Sequence, residues 1–294
     1  MDKLRRLVFE NFVFLLVALL PYAGVPAIVH AQGGDFNPLV FTEPLSLSRG
    51  EISPQFQDSY YFKREDYCRI VKEDWGWTDC STIEAFIVGS TRETDTLIVE
   101  PPNSDGYVKF DDWNPESLDA EVEVIEESLK AALKDQGERL NMDVRFVKWS
   151  VYPTLNKDKK VMYYATDISF GGDVSTNVKA SVFDRRGYVT FVMVPMEVGL
   201  SPAAIERIVL DNLAIYTPRS DERYTAFTSG DKIAAAGAVG VLATLVGVKY
   251  GKAAATGLLV VILAFLKKGA FLLIVPVFWL FGWIKRMFGG NNNA

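Results

Sequence analysis

Between Ile233 and Ile284 the only charged residues are Lys249, Lys252, Lys267 and Lys268. At about 1.5 Å per residue, one straight helix over this run would far exceed the ~30 Å hydrocarbon core of a bilayer. Two helices, about 233–249 and 254–284, with a turn at Tyr250-Gly251-Lys252, fit better. The second is then tilted, kinked at Pro276 or continued outside the core, and Lys267 and Lys268 snorkel or mark an interface. Ala236, Gly240, Ala243, Gly247 and Gly251 recur at three- and four-residue steps. Such spacing lets helix backbones approach closely in lipid, as in a packed hairpin or a homo-oligomer. Trp279, Trp283, Lys285 and Arg286 form an aromatic and basic end, which the positive-inside bias places in the cytoplasm. A hairpin that starts outside would leave this end outside, so pass count and charge bias conflict.

The other end of the chain also reads as membrane handling. Residues 1–31 combine Lys3, Arg5 and Arg6 with an apolar stretch from Phe12 to Leu20, then Pro21, Pro26 and Val29-His30-Ala31. This is the pattern of a cleavable export signal ending at Ala31; the prolines interrupt the run well short of the ~20 residues a spanning helix needs. Export implies a bacterial cytoplasmic membrane with the main domain facing the periplasm or cell exterior. His30 is the one histidine in the chain, so cleavage would leave none. That excludes Ser-His and Cys-His nucleophile pairs and histidine metal sites from the mature protein.

Between these ends the chain reads as an extended segment over 32–57, an α+β domain over 58–215 and a polar tether over 216–232. The apolar anchor runs from 233 to 286 and a polar tail from 287 to 294. A short helix spans about Arg64–Asp74, followed by Trp75-Gly76-Trp77 and strand-like runs at 85–88 and 96–100. Asn114-Pro115 opens the clearest helix, with Leu118, Val122, Ile125, Leu129 and Leu133 on one face and Glu126 and Glu127 on a solvated one. Four β runs follow at 144–152, 161–170, 177–183 and 188–194, joined by connections too short for crossover helices, hence an antiparallel meander. Ser201-Pro202 starts another helix. Helices before and after a meander predict a layered α+β sandwich, with transmembrane helices appended at the C-terminus.

Chemistry-bearing residues are sparse. The net charge of −6 and the absence of a basic stripe argue against a nucleic-acid partner. Asp105, Asp111 and Asp112 cluster but lack calcium-loop spacing, so neither metal nor cofactor is expected. Gly171-Gly172-Asp173 reads as a turn, and Ser150, Ser169, Ser175 and Ser181 have no local signature pairing them with Lys160 or Lys179. Glu100, Asp111 and Asp112 remain as candidate acids for carboxylate catalysis, and Trp75, Trp77 and Trp113 as candidate stacking residues for a sugar or peptide. In an oxidising compartment Cys68 and Cys80 would close a short disulfide loop; the alternative is a buried free thiol.

Gly106-Tyr107-Val108-Lys109 before an acidic pair, Val147-Lys148-Trp149, Asp184-Arg185-Arg186-Gly187 and Ser229-Gly230-Asp231-Lys232-Ile233-Ala234 occur in this order. This organisation resembles a bacterial family of predicted membrane-anchored proteins of unknown function (DUF2167 type), from about residue 60 into the anchor. The resemblance implies an exported, C-terminally anchored topology and carries no catalytic residues. A non-enzymatic module that binds or scaffolds a protein partner at the membrane is therefore expected first, an envelope enzyme using carboxylates second and a membrane-linked sensor third.

Overall fold

The computed structural model describes residues 37–115, 118–235 and 237–247. The segment expected as an export signal (1–31), the apolar stretch 254–284 and the polar tail lie outside them.

An eight-stranded antiparallel sheet dominates, in the order β1-β4-β5-β6-β10-β9-β8-β7. The meander supplies its long half: β7 (Val144–Asn156), β8 (Val161–Phe170), β9 (Asp173–Phe183) and β10 (Tyr188–Pro195). The hairpin of β5 (Ala85–Thr91) and β6 (Thr94–Val99) adds to β10, and the two-residue β1 (Leu39–Val40) and β4 (Tyr60–Tyr61) complete the far edge. A second, three-stranded sheet joins β11 (Tyr216–Pro218), β3 (Gly50–Ile52) and β2 (Leu45–Ser46). Segments expected as an extended entry and as a tether therefore pair with each other: Tyr216 lies opposite Ile52. Strands this short carry no periodicity from which they could be read.

Successive side chains of β8 point to opposite faces of the large sheet, as pleating requires. Val161, Tyr163 and Ala165 enter one core with Val178, Phe191, Ile205, Ile208 and Val209, under α3 (Pro202–Ala214) and the small sheet. Met162, Tyr164 and Ile168 enter the other, under α2 (Asp119–Leu140) and α4 (Ala238–Gly247). A third cluster, with Phe62, Val71, Phe86 and Ile98, lies beneath α1 (Arg64–Arg69) and the π-turn Ile70–Asp74 that continues it. The disulfide Cys68–Cys80 ties α1 to the loop before β5, with Cα atoms 5.2 Å apart.

One helix boundary differs from the sequence reading. α2 starts at Asp119 rather than beside Asn114-Pro115, and runs to Leu140, where Asn141 adopts the left-handed conformation (φ 50°) that closes a helix. α3 begins as expected, with the Ser201 hydroxyl accepting from the Ala204 N–H and Pro202 in the first turn. The edge strand β7 is interrupted by three register shifts, which twist it and limit its use as a template for further strands.

No helix among the described residues is long and apolar enough to cross a membrane. The part of the first expected span that is described, α4, packs on α2 and on the sheet.

Candidate functional site

Three of the four motif segments that carry the family resemblance, with the acidic pair that follows the first, contribute to one site, where the chain enters α4, whereas Val147-Lys148-Trp149 lies on β7. Tyr107 N–H donates to the Lys232 carbonyl (2.8 Å) and Ala234 N–H donates to the Tyr107 carbonyl (2.9 Å), a short parallel pairing. Gly106 has φ +126°, and a Cβ there would lie 2.7 Å from Ala234 N and 2.8 Å from both Ile233 C and Lys232 O. Only glycine permits this approach, because all three obstacles are backbone. Gly106 N–H in turn donates to the Arg186 carbonyl at 3.0 Å, coupling the pairing to the β9–β10 turn.

The same turn supplies an ionic hold. Arg185 presents Nε and Nη2 to the two carboxylate oxygens of Asp231, both at 2.7 Å, while Thr228 N–H donates to Asp231 Oδ2 at 2.7 Å. The Arg185 fork first, then the Thr228 hydrogen bond, holds the Asp231 carboxyl well below the ordinary carboxylate range. Tyr107 packs on Tyr224 and Phe227, with ring centroids at 4.3 and 4.1 Å, and Phe110 stacks on Tyr224 at 5.3 Å. Lys160 Nζ sits 5.4 Å from the Tyr224 ring centroid. The Tyr224 hydroxyl donates to the Val108 carbonyl at 2.8 Å, and its pKa is raised by burial and by the hydrogen bond with Tyr107.

Asp112 completes the hold. Its two oxygens accept from the N–H groups of Ala238 (2.9 Å) and Val239 (3.1 Å), the first turn of α4, where helical N–H groups lack internal partners. At the other end Lys179 Nζ donates to the Leu245 carbonyl at 3.0 Å. Between these polar ends Ala238, Val241, Leu242, Leu245 and Val246 are buried with Leu118, Val122, Ile125 and Leu129 in the same core. We call this arrangement the clasp.

A buried ionic cluster lies behind it. Arg49, 3% exposed, donates through Nη1 to Asp184 Oδ1 (2.5 Å) and through Nη2 to Ser104 Oγ (2.6 Å). Asp184 Oδ1 also accepts from Arg186 N–H at 2.7 Å, which fixes the turn that presents Arg185. Glu222 is bound by the fork of Arg186 and by Nη2 of Arg219. Asp184 Oδ2 and the Tyr216 hydroxyl are both buried without a hydrogen-bond partner among the described residues. Burial pushes the Asp184 carboxyl up despite Arg49, and pushes the Tyr216 hydroxyl up more strongly.

The sequence candidates are distributed among these features. Asp112 is a helix cap, and Asp111 is exposed on the same loop, where its charge contributes to raising the Tyr224 pKa. Glu100 is buried at the end of β6, its N–H donating to the Thr190 carbonyl at 2.9 Å. Trp75 and Trp77 pack edge to face at 6.0 Å on the disulfide-bearing cluster, whereas Trp113 belongs to the core under α2; the three do not form one platform. Trp113 borders an open groove of about 500 Å³ at the end of the β7–β8 hairpin, with Asn156, Tyr163 and Glu206. Burial, with the Glu206 charge second, raises the Tyr163 pKa. No group of three or more metal-ligating side chains is assembled among the described residues. Arg49, Tyr216 and Glu222 escaped the sequence reading, because their partners are brought to them from distant segments and no local pattern marks them.

The fold and site thus define an α+β domain that clasps the apolar helix α4. The family model described as "Protein of unknown function (DUF2167)" matches residues 44–278, and the chain belongs to that family. Comparison with curated proteins gives no match. Among solved structures the chain is similar to the cyanobacterial PsbP (CyanoP) of Synechocystis sp. PCC 6803. That similarity is at 8% identity and a TM-score of 0.27, over 59% of this chain and 95% of that one. Likeness at this level carries no functional argument.

Proposed function

We propose that this is a membrane-anchored module of the bacterial envelope whose α+β domain binds a protein partner at the membrane surface, facing the periplasm or cell exterior. The carrying observation is the convergence of the Gly106–Lys109, Asp111–Asp112, Asp184–Gly187 and Ser229–Ala234 segments on the clasp. Their polar groups are engaged in fixing residues 231–247 to the domain, which is a positioning role rather than a chemical one. Asp112, a candidate acid, has both oxygens committed to α4. A clasped exit fixes the point at which the chain leaves the domain, which suits recognition of a neighbour in the same membrane.

The test is affinity purification of the full chain from membranes after mild crosslinking. It is compared with a chain that retains residues 1–247 but carries an unrelated membrane segment beyond them. Specific partners recovered with both chains support recognition by the clasped domain. Recovery of the full chain in the alkali-soluble fraction contradicts anchoring, and turnover of an envelope substrate abolished by Glu100→Gln contradicts a non-enzymatic role.

A further inference from the structure

We infer that the end of the large sheet opposite the clasp is the surface that meets the bilayer, with Val174, Met196 and Val198 in contact with lipid. The inference rests on the anchored reading above and adds the surface through which the domain touches the membrane.

Strand direction separates the two ends of the domain. The β9–β10 and β7–β8 turns lie at the clasp end, since Tyr188 pairs with Phe183 and Val161 with Val182. The β8–β9 and β5–β6 turns lie at the other end, with the loop that leaves β10 after Pro195. α4 starts at Asp112 on the clasp end and its last turn meets Lys179 of β9, so it runs toward the other end. The described chain stops at Gly247 with this heading. Beyond Lys252 the sequence is charged only at Lys267 and Lys268 as far as Ile284, the composition on which the anchored reading rests.

The end toward which α4 runs carries exposed apolar side chains. Val198 is 56% exposed, the most of any large hydrophobic residue among the described ones, with Met196 at 50% and Val174 at 41%. Met196 and Val198 flank Glu197 on the loop after β10, and Val174 follows the β8–β9 turn on the neighbouring strand. Both segments stand clear of the domain: a Cβ added at Gly199 or at Gly172 would have nothing within 4 Å. The loop is nevertheless fixed at its base. Met196 N–H donates to the Glu93 carbonyl at 3.0 Å, Leu200 packs against the core under α3, and the Ser201 hydroxyl caps α3. Apolar side chains held in water on a protruding loop carry a hydration cost that a covering surface removes.

Position and charge select lipid as that surface. Around the patch Glu93 pairs with Arg207 and Asp143 with Arg145, while Arg92 stands with Asp173 and Glu197. No basic field is available to draw in anionic head groups, so the contact is apolar. Membrane binding scales with buried apolar area, and three side chains would bind an untethered domain only weakly. Attachment through the same chain keeps the loop beside the bilayer, and under that high effective concentration a weak contact suffices to orient the domain.

The experiment uses the full chain, whose Cys68 and Cys80 are paired with each other, carrying one added cysteine at a time. Val174→Cys and Val198→Cys lie in the patch, and Asp158→Cys lies in the exposed β7–β8 turn at the clasp end. Each chain is labelled with an environment-sensitive fluorophore and reconstituted into phosphatidylcholine vesicles with or without nitroxide on the upper acyl chain. Nitroxide is expected to cut emission about twofold at 174 and 198 and to leave 158 unchanged, as shallow insertion of the patch requires. Emission at 198 as insensitive to nitroxide as at 158, in chains that resist alkali extraction, overturns the inference. Blue-shifted emission at 198 without quenching also overturns it, because protein rather than lipid then covers the loop. Recovery of the chain in the alkali-soluble fraction instead overturns the anchored reading on which the inference rests.

Discussion

Replacing Gly106 by alanine separates the clasp from ordinary backbone strain. At φ +126° any L side chain is strained by about 1–3 kcal/mol. The added Cβ also meets Ala234 N, Ile233 C and Lys232 O at 2.7–2.8 Å, and backbone atoms cannot rotate away. Relief requires moving residues 232–234, which breaks the hydrogen bonds between Tyr107 and Lys232 and between Ala234 and Tyr107, each with a net value of about 1 kcal/mol. The total is roughly 3–5 kcal/mol. Gly172 is the control: its φ is +111°, with nothing within 4 Å of the added Cβ, so Gly172→Ala carries the strain alone. Urea unfolding of the full chain in mild detergent, followed by tryptophan fluorescence, should show Gly106→Ala less stable than Gly172→Ala by about 2 kcal/mol. Equal losses in the two variants would refute the clasp contacts as described.

Other perturbations address different parts of the fold. Cys68→Ser with Cys80→Ser opens a loop of sequence separation 12 and should lower unfolding stability by about 2–4 kcal/mol in denaturant titration. Arg49→Met leaves Asp184 buried beside an apolar chain and should cost about 3–5 kcal/mol at neutral pH. Because burial raises the Asp184 pKa in the folded chain, stability linked to its proton is complete below the unfolded value of about 4. That stability is lost as pH rises through the folded value, so the Arg49→Met deficit should shrink in acid. Leu242→Ala removes a fully buried side chain from the α4 contact and should cost about 2–5 kcal/mol, read as faster amide exchange in 238–247 before the meander opens.

The long elements were legible because burial imposes a period on them. Leu118, Val122, Ile125, Leu129 and Leu133 mark the buried face of α2, and the β7–β10 meander follows from alternation and short turns. Residues 39–61 and 216–232 were not legible as strands, since two- and three-residue pairings such as Tyr216 with Ile52 are selected by tertiary contact. α4 was legible as apolar but not as docked: a stretch buried against protein and one buried in lipid have the same composition. What distinguishes them is Asp112, more than a hundred positions earlier in the chain, at its first turn. Likewise the motif at Gly106 and that at Asp231 stand out separately, while their contact is a property of the folded backbone.

Amide hydrogen exchange on the full chain in mild detergent tests the clasp most directly. The amides of Tyr107, Ala234, Ala238 and Val239, each donating within the clasp, are predicted to exchange slowly, and those of 232–247 to lose protection selectively in Gly106→Ala. Fast exchange throughout 232–247 in the unaltered chain, with β8–β10 still protected, would contradict a docked α4.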